Sequence, residues 1–490
     1  MATLRNEHHE VRIECDEIPT ERVQVRELVG REAISEPFSF DVEIVAVEGA
    51  EIDPSAVIGA DVALVFLLVS QAGETEIRRM YGMIAAVLAP LDPLAPQRVY
   101  RLHVVPRVHR LTLVTTQEIF MNKSVPDILR EKLARVGLGS EDVEMRLLGT
   151  YPPLEFVVQY KETDLAFVSR LAEHLGISFF FEHADGVDRI VFTDHNDGFH
   201  DIEGNPAVAF RARGEEADVY RIALSAQMIP KTYLQQDYNY EAPRLSLTAS
   251  HSVTDGYAGG VVEYGAHYRT PEEGAMLARI RGEERQATQR VYAGESDTAT
   301  FSAGATFDLS GNPWVSGELL LVEVEHHASQ IVLTHGGTET ARTYTNKFRV
   351  IDAKVPYRPP RRTPKPRILG FLPGLVEPLP DGDIGRYARI DSMGRYTVRL
   401  YFDLSPEGSR EYSSLPVRMM QPHAGPSYGH HFPLKPGIEV LVAFVEGDPD
   451  RPLIAGVVPN PITPSPVTRN NSIMNRIETA SGVYLEIRDI

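Results

Sequence analysis

The stretch EVLVAFVEGDPDRPLIAGVV, residues 439–458, carries two nearly continuous apolar runs, 439–445 and 453–458, around a seven-residue connection. Short apolar runs bounded by turn residues fit β-strands buried in a core. In the connection, Pro449 and Pro452 bar regular ladder pairing, and Asp448 and Asp450 can accept hydrogen bonds from loop amides. Arg451 is placed to pair with either carboxylate. Gly447, Asp448, Pro449, Asp450 and Arg451 are therefore read as a structural turn. Two carboxylates side by side also suit acid–base chemistry, but a hydrogen-bonded turn accounts for the same residues without a substrate.

The same kind of patterning extends outward in both directions. In GRYTVRLYF, residues 394–402, Tyr396, Val398, Leu400 and Phe402 alternate with Thr397, Arg399 and Tyr401, which predicts a half-buried strand. Several short strands in under ~100 residues point to a small barrel such as an OB-fold over 368–460. Beyond it, PNPITPSPV is a proline connector. The sequence closes on NRIETASGVYLEIRDI, where Val483, Leu485 and Ile487 alternate with Tyr484, Glu486 and Arg488. That last strand shows no intrachain mate after it, and an isolated strand with an open edge needs pairing from elsewhere.

Between the predicted strands lies HAGPSYGHHFPLKPG, residues 423–437, which contains G-x-S-x-G around Ser427 and is followed by His430 and His431. A nucleophile elbow needs a helix after the serine. Pro433, Pro436 and Gly437 prevent one here, and no carboxylate separates Ser427 from the histidines. The pentapeptide is read as a glycine-rich turn, with a serine hydrolase using Ser427 and His430 or His431 as the minor alternative.

Upstream, KVPYRPPRRTPKPR, residues 354–367, has five prolines, six basic residues and no acid, and reads as a polyproline spacer. Before it, 1–353 is strand-rich, with helices expected at 124–136 after Ser124, at 163–175 after Thr163, and from the TPEE capping box at Thr270–Glu273. Residues 1–353 hold 32 basic and 54 acidic groups, whereas 354–490 hold 17 and 14. Such an acidic head is repelled by nucleic acid and by anionic membranes. Cys15, the one cysteine, excludes an intrachain disulfide and any cysteine-based zinc site. No secretory leader is visible at the N-terminus, and the longest apolar run, Val62–Val69, is far too short to span a bilayer. Adjacent histidines (His8/His9, His326/His327, His430/His431) point to opposite faces of a strand, and TDHNDGFHD at 193–201 lacks the glycine position and closing glutamate of a calcium loop. No metal, cofactor or catalytic site is expected, and the N-x-S triplets at Asn122 and Asn471 matter only in a glycosylated chain.

The chain resembles the VgrG spike proteins of type VI secretion systems, which are related to the hub and spike of contractile phage tails. The resemblance rests on FVVQYKETDLAFVSRLAEHLGISFFFEH (156–183), on SAGATFDLSGNP (302–313) followed by LLLVEVEHHAS, and on the whole of 421–468. Asn312 stands where the family often has a histidine. The resemblance implies a mainly β fold with helical insertions: a hub of two tube-like β-barrel subdomains over 1–353, the 354–367 linker, the OB barrel, and from 461 the start of a trimeric β-helix stalk. It further implies a non-enzymatic homotrimer that docks on the hexameric Hcp tube and on baseplate components. Such a spike carries a PAAR-type tip protein and effectors, and waits in the cytoplasm before being fired outward. A phage tail baseplate hub is the alternative. Val483, Leu485 and Ile487 would then form the intersubunit stalk strand.

Overall fold

The computed structural model describes residues 8–47, 50–91, 98–211, 218–330, 343–377, 390–403 and 416–489. Residues 1–7, part of the segment read for a leader, lie outside that set. The chain divides into two compact units: 1–114, 129–151 and 164–364 form one, and 115–128, 152–163 and 365–490 the other.

The first unit is built on a 13-stranded sheet. Its first six strands, His8–Glu14, Val23–Ala33, Glu36–Ala46, Asp61–Ser70, Gly73–Leu88 and Arg98–Val105, pair so that the first and second lie at opposite ends of the group. The Gln330 side chain stitches those ends together. Its amide donates to the carbonyls of Val11 and Val25 (2.9 Å each) and its oxygen accepts from the Val11 N–H (2.7 Å). A second group, which includes Val219–Ala226, Arg290–Ser296, Ala305–Ser310, Gly317–Ser329 and Thr343–Asp352, closes through a bridge between Phe210 and Val219. Phe301, Phe307 and Phe348 fill it, with ring centroids 4.6–6.2 Å apart. The two groups are fused where Glu27–Ala33 runs antiparallel to Glu323–Ser329. Two barrels sharing one sheet realise the expected hub.

The helices sit where their caps predict. Val125–Arg135 follows Ser124, whose hydroxyl accepts from the Asp127 N–H (3.3 Å), and Asp164–His174 stops before Gly176, at φ 68°. Pro271–Ala287 starts at Thr270, whose hydroxyl accepts from the Glu273 N–H (3.2 Å). The Glu273 carboxylate accepts from the Arg269 N–H (2.7 Å), one residue before the position of an ideal capping box. Among the described residues no helix is long and apolar enough to cross a membrane.

Residues 354–364 form no helix or strand, as their prolines require, but they are not a free spacer. Tyr357 is buried and its N–H donates to Asn196 (2.9 Å). Arg358 pairs with Glu283 (2.6 Å), Arg361 with Glu263 (2.5 Å), and Arg362 with Glu36. The segment is a strap whose basic residues answer carboxylates of the acidic unit it crosses, and this corrects the spacer reading.

In the second unit the strands Phe371–Val376, Tyr396–Leu400, Pro416–Val417, Glu439–Phe444 and Pro452–Val457 form one sheet. A bridge from Met419 to Ile454 joins its two ends and closes a small barrel. Tyr396, Val398 and Leu400 point into the core as the alternation requires, although the strand ends at Leu400, short of Phe402. An antiparallel pair of strands, Thr115–Lys123 and Leu154–Thr163, separated in sequence by a helix and a short strand and drawn from within the span 1–353, lays Ile119, Phe156, Val158 and Tyr160 into the same core.

Candidate functional site

The connection at 445–451 is held from several sides. Glu446 (φ 55°) and Gly447 (φ 74°) take left-handed conformations, so the chain leaves one strand and re-enters the next within a few residues. Asp448 Oδ1 accepts from the Asp450 N–H (2.9 Å), and the Gly447 carbonyl accepts from the Ile368 N–H (2.9 Å). The Lys365 ammonium lies 2.6 Å from Asp448 Oδ1 and 2.7 Å from Asp450 Oδ2. Asp450 Oδ1 accepts from the Val158 N–H of the strand Leu154–Thr163 (2.7 Å). Burial alone would lower the Lys365 pKa, but the two carboxylates outweigh it and raise it. Arg451, the cation named from sequence, comes only to 4.0 Å of Asp448, so the principal partner of the two aspartates is Lys365. Both carboxylates are engaged in fastening strands together.

Ser427 sits at the tip of another hairpin. Ala424–Gly425 pairs with Tyr428–Gly429, and Ser427 has φ 62°. The glycines of the pentapeptide have a geometric cause: Gly429 has φ 149°, and a Cβ there would meet the His423 carbonyl at 2.4 Å. His431 is occupied elsewhere. Its Nδ1 accepts from the Gln421 amide (2.8 Å), which leaves Nε2–H to donate to the Tyr396 hydroxyl (2.8 Å). His430 and Ser427 are exposed, and among the described residues no hydrogen bond joins Ser427 to either histidine. The loop holds no triad geometry.

The seam between the two barrels carries a buried polar cluster that sequence reasoning missed. Arg78 Nη2 donates to Glu32 (2.7 Å), and Arg78 Nη1 to the Phe301 carbonyl (2.9 Å). His326 Nε2 lies 2.8 Å from the same carboxylate, and its Nδ1 is 2.7 Å from the Tyr344 hydroxyl. Burial would raise the Glu32 pKa, but Arg78 and His326 hold it down at about 2. His327, the neighbour, points outward, as strand alternation demands. In TDHNDGFHD the Asp194 carboxylate accepts from the N–H groups of Leu148 (2.9 Å) and Gly149 (2.7 Å) and from the Tyr151 hydroxyl (2.8 Å). That loop is tied by its own chain.

At the C-terminal end the expectation of an unpaired strand is corrected. Tyr484–Arg488 runs antiparallel to Met474–Glu478, with Ile477 opposite Leu485 and Asn475 opposite Ile487. Val483 lies just outside the strand, in the turn. Tyr484 shares the other face with Arg476, whose guanidinium stands 4.6 Å from its ring centroid. Ile477, Leu485 and Ile487 therefore share one apolar face, and they remain 47%, 60% and 61% exposed. The backbone is paired; the side chains are not covered.

Fused barrels, a small closed barrel and a terminal hairpin with an exposed apolar face define a mainly β protein. The chain belongs to the phage tail baseplate hub (GPD) family, whose model matches residues 31–331, and residues 391–458 match the type VI secretion system/phage-baseplate injector OB domain. It is similar to the type VI secretion system spike proteins VgrG4b (30% identity over 95% of this chain) and VgrG5 (31% over 88%) of Pseudomonas aeruginosa. The chain spans 59% and 55% of their lengths. The E. coli c3393 protein, a type VI secretion component described as structurally similar to the T4 tail proteins gp27 and gp5, shares the fold at a TM-score of 0.66. That match has 26% identity and covers 92% of this chain and 100% of the other.

Proposed function

We propose that the chain is the hub and barrel portion of a non-enzymatic, trimeric spike of a type VI secretion machine. In this role it docks on the Hcp tube and baseplate, carries a PAAR-type tip and effectors, and is driven through the target envelope. It is made in the cytoplasm and leaves only by firing. The single observation that carries this reading is the terminal hairpin, whose apolar side chains at Ile477, Leu485 and Ile487 remain exposed among the described residues. Exposed contiguous apolar surface marks an interaction site. Three copies placing that face inward satisfy it, and Val483, Leu485 and Ile487 then line the stalk. The hub-family match favours one second reading, the hub of a phage tail, which uses the same assembly.

Light scattering on the purified chain tests the reading. The expected mass is three times 54.5 kDa, and the double variant Leu485→Asp/Ile487→Asp is expected to be monomeric with both units folded. A monomeric wild type at micromolar concentration overturns it.

A further inference from the structure

The hairpin that carries Ser427 has little to hold it. Its ladder consists of Ala424 with Gly429 and Gly425 with Tyr428, and every residue from Pro422 to His430 is exposed. An isolated two-stranded ribbon is marginally stable at best in water. Alternation along the strands sorts its side chains onto two faces. Ala424, Gly429 and His431 share one face, where His431 is bound to Gln421 and Tyr396. His423, Gly425, Tyr428 and His430 share the other.

That second face brings two imidazoles together. The His430 N–H donates to the His423 carbonyl (2.8 Å), so these residues stand directly opposite each other, one step beyond the regular ladder. Directly opposed residues have Cβ atoms about 4.5–5.5 Å apart. The Tyr428 ring folds across Gly425, where a Cβ would meet it at 2.3 Å, and its centroid lies 5.5 Å from that of His423. The His430 ring stands 5.8 Å from Phe432. Neither imidazole makes a hydrogen bond or an ion pair among the described residues.

Two unclaimed imidazoles at this spacing have a specific chemistry. Neutral imidazole suits zinc, nickel and copper, whereas magnesium and calcium take oxygen ligands. Metal–nitrogen bonds of about 2.0–2.1 Å are within reach of both rings, because no hydrogen bond fixes either side chain. The adjacent pair His430/His431 cannot share an ion, since its rings point to opposite faces; His423 and His430 can. We infer that His423 and His430 form a divalent transition-metal site, with water in the remaining positions, and that the ion staples the base of the hairpin. Such a clip closes across the strands a loop that the ladder alone leaves marginal. The site lies within the second unit and is independent of any association between copies.

Equilibrium dialysis of the untagged chain against Zn²⁺ tests the site, with His423→Asn, His430→Asn and the double variant beside the wild type. Both positions are exposed, so the variants keep the fold. Each single variant is expected to bind one equivalent fewer than the wild type. The double variant is expected to lose no more than either single, because removing one ligand already empties a two-histidine site. At free Zn²⁺ tenfold above Kd, hydrogen exchange at the amide of residue 430 is expected to slow by about 10-fold in the wild type and to stay unchanged in the variants. Losses that add in the double variant would mean an adventitious ion only, on separate surface imidazoles, and overturn the site. Equal stoichiometry in all four chains overturns it as well. A shared equivalent that leaves exchange unaltered overturns the staple.

Discussion

The second unit contains two antiparallel hairpins of similar size that differ in what covers them. Glu439–Phe444 and Pro452–Val457 bury Val440, Val442, Phe444 and Ile454 in the barrel core. Their connection is fixed by Lys365 and Val158. Met474–Glu478 and Tyr484–Arg488 are paired just as regularly, yet every residue of the second strand except Glu486 is exposed. Backbone pairing alone does not make a two-stranded unit stable; side-chain burial does. The first hairpin finds its cover within its own chain, and the second keeps its apolar side chains exposed among the described residues.

The same substitution in both hairpins gives the sharpest contrast. Ile454→Ala removes a side chain with 0% exposure and is expected to destabilise the second unit by about 2–5 kcal/mol in urea unfolding. Ile487→Ala, at 61% exposure, is expected to stay within about 0.5 kcal/mol in the dissociated chain. Its effect should appear in the association constant instead. Equal losses in unfolding would erase the distinction between the hairpins.

A smaller effect is expected at the lock itself. Asp450→Ala takes acceptors from the Val158 amide and from the Lys365 ammonium. Leaving buried donors unmade costs roughly 2–3 kcal/mol here, reduced from a fully buried pair because Lys365 is partly exposed. The pH dependence has a definite sign. Because the folded Lys365 pKa is raised above its ordinary 10.5, the lock contributes fully below pH 10.5 and is lost as pH rises through the folded value. The gap between wild type and Asp450→Ala should therefore narrow only in strong alkali, where the part owed to Lys365 is lost and the part owed to the Val158 amide remains. Narrowing near neutrality would place the pH-dependent stabilisation elsewhere.

Local elements were readable from sequence because local chemistry determines them. The alternation at Tyr396, Val398 and Leu400 and the caps at Ser124 and Thr270 depend on residues only a few positions apart. What could not be read are partnerships across long separations. Lys365 meets Asp448 and Asp450 more than eighty residues on, and Val158 donates to Asp450 from a strand within the span 1–353, which the sequence reading places in the head. Gln330 sits after a strand yet closes a barrel against Val11. Arg451, the nearest cation in sequence, does pair with Asp448 at 4.0 Å, but proximity in sequence gives no sign of Lys365, which comes closer to both aspartates. The terminal strand was misread in the same way, since its mate at 474–478 precedes it.

The hairpin around Ser427 gives the smallest effect and bounds the comparison from below. It is neither buried like the barrel hairpin nor apolar like the terminal one, and its tip residue holds φ 62°, which a side chain tolerates at some cost. Ser427→Gly is expected to leave stability unchanged or raise it by up to about 0.5 kcal/mol, because glycine enters the left-handed region without strain. A fluorophosphonate probe should label Ser427 no faster than an ordinary exposed serine, since His431 spends its two nitrogens on Gln421 and Tyr396. Rapid labelling at this position, abolished by His430→Ala, would mean that the loop rearranges into a catalytic geometry, and the turn would no longer be only a connection between strands.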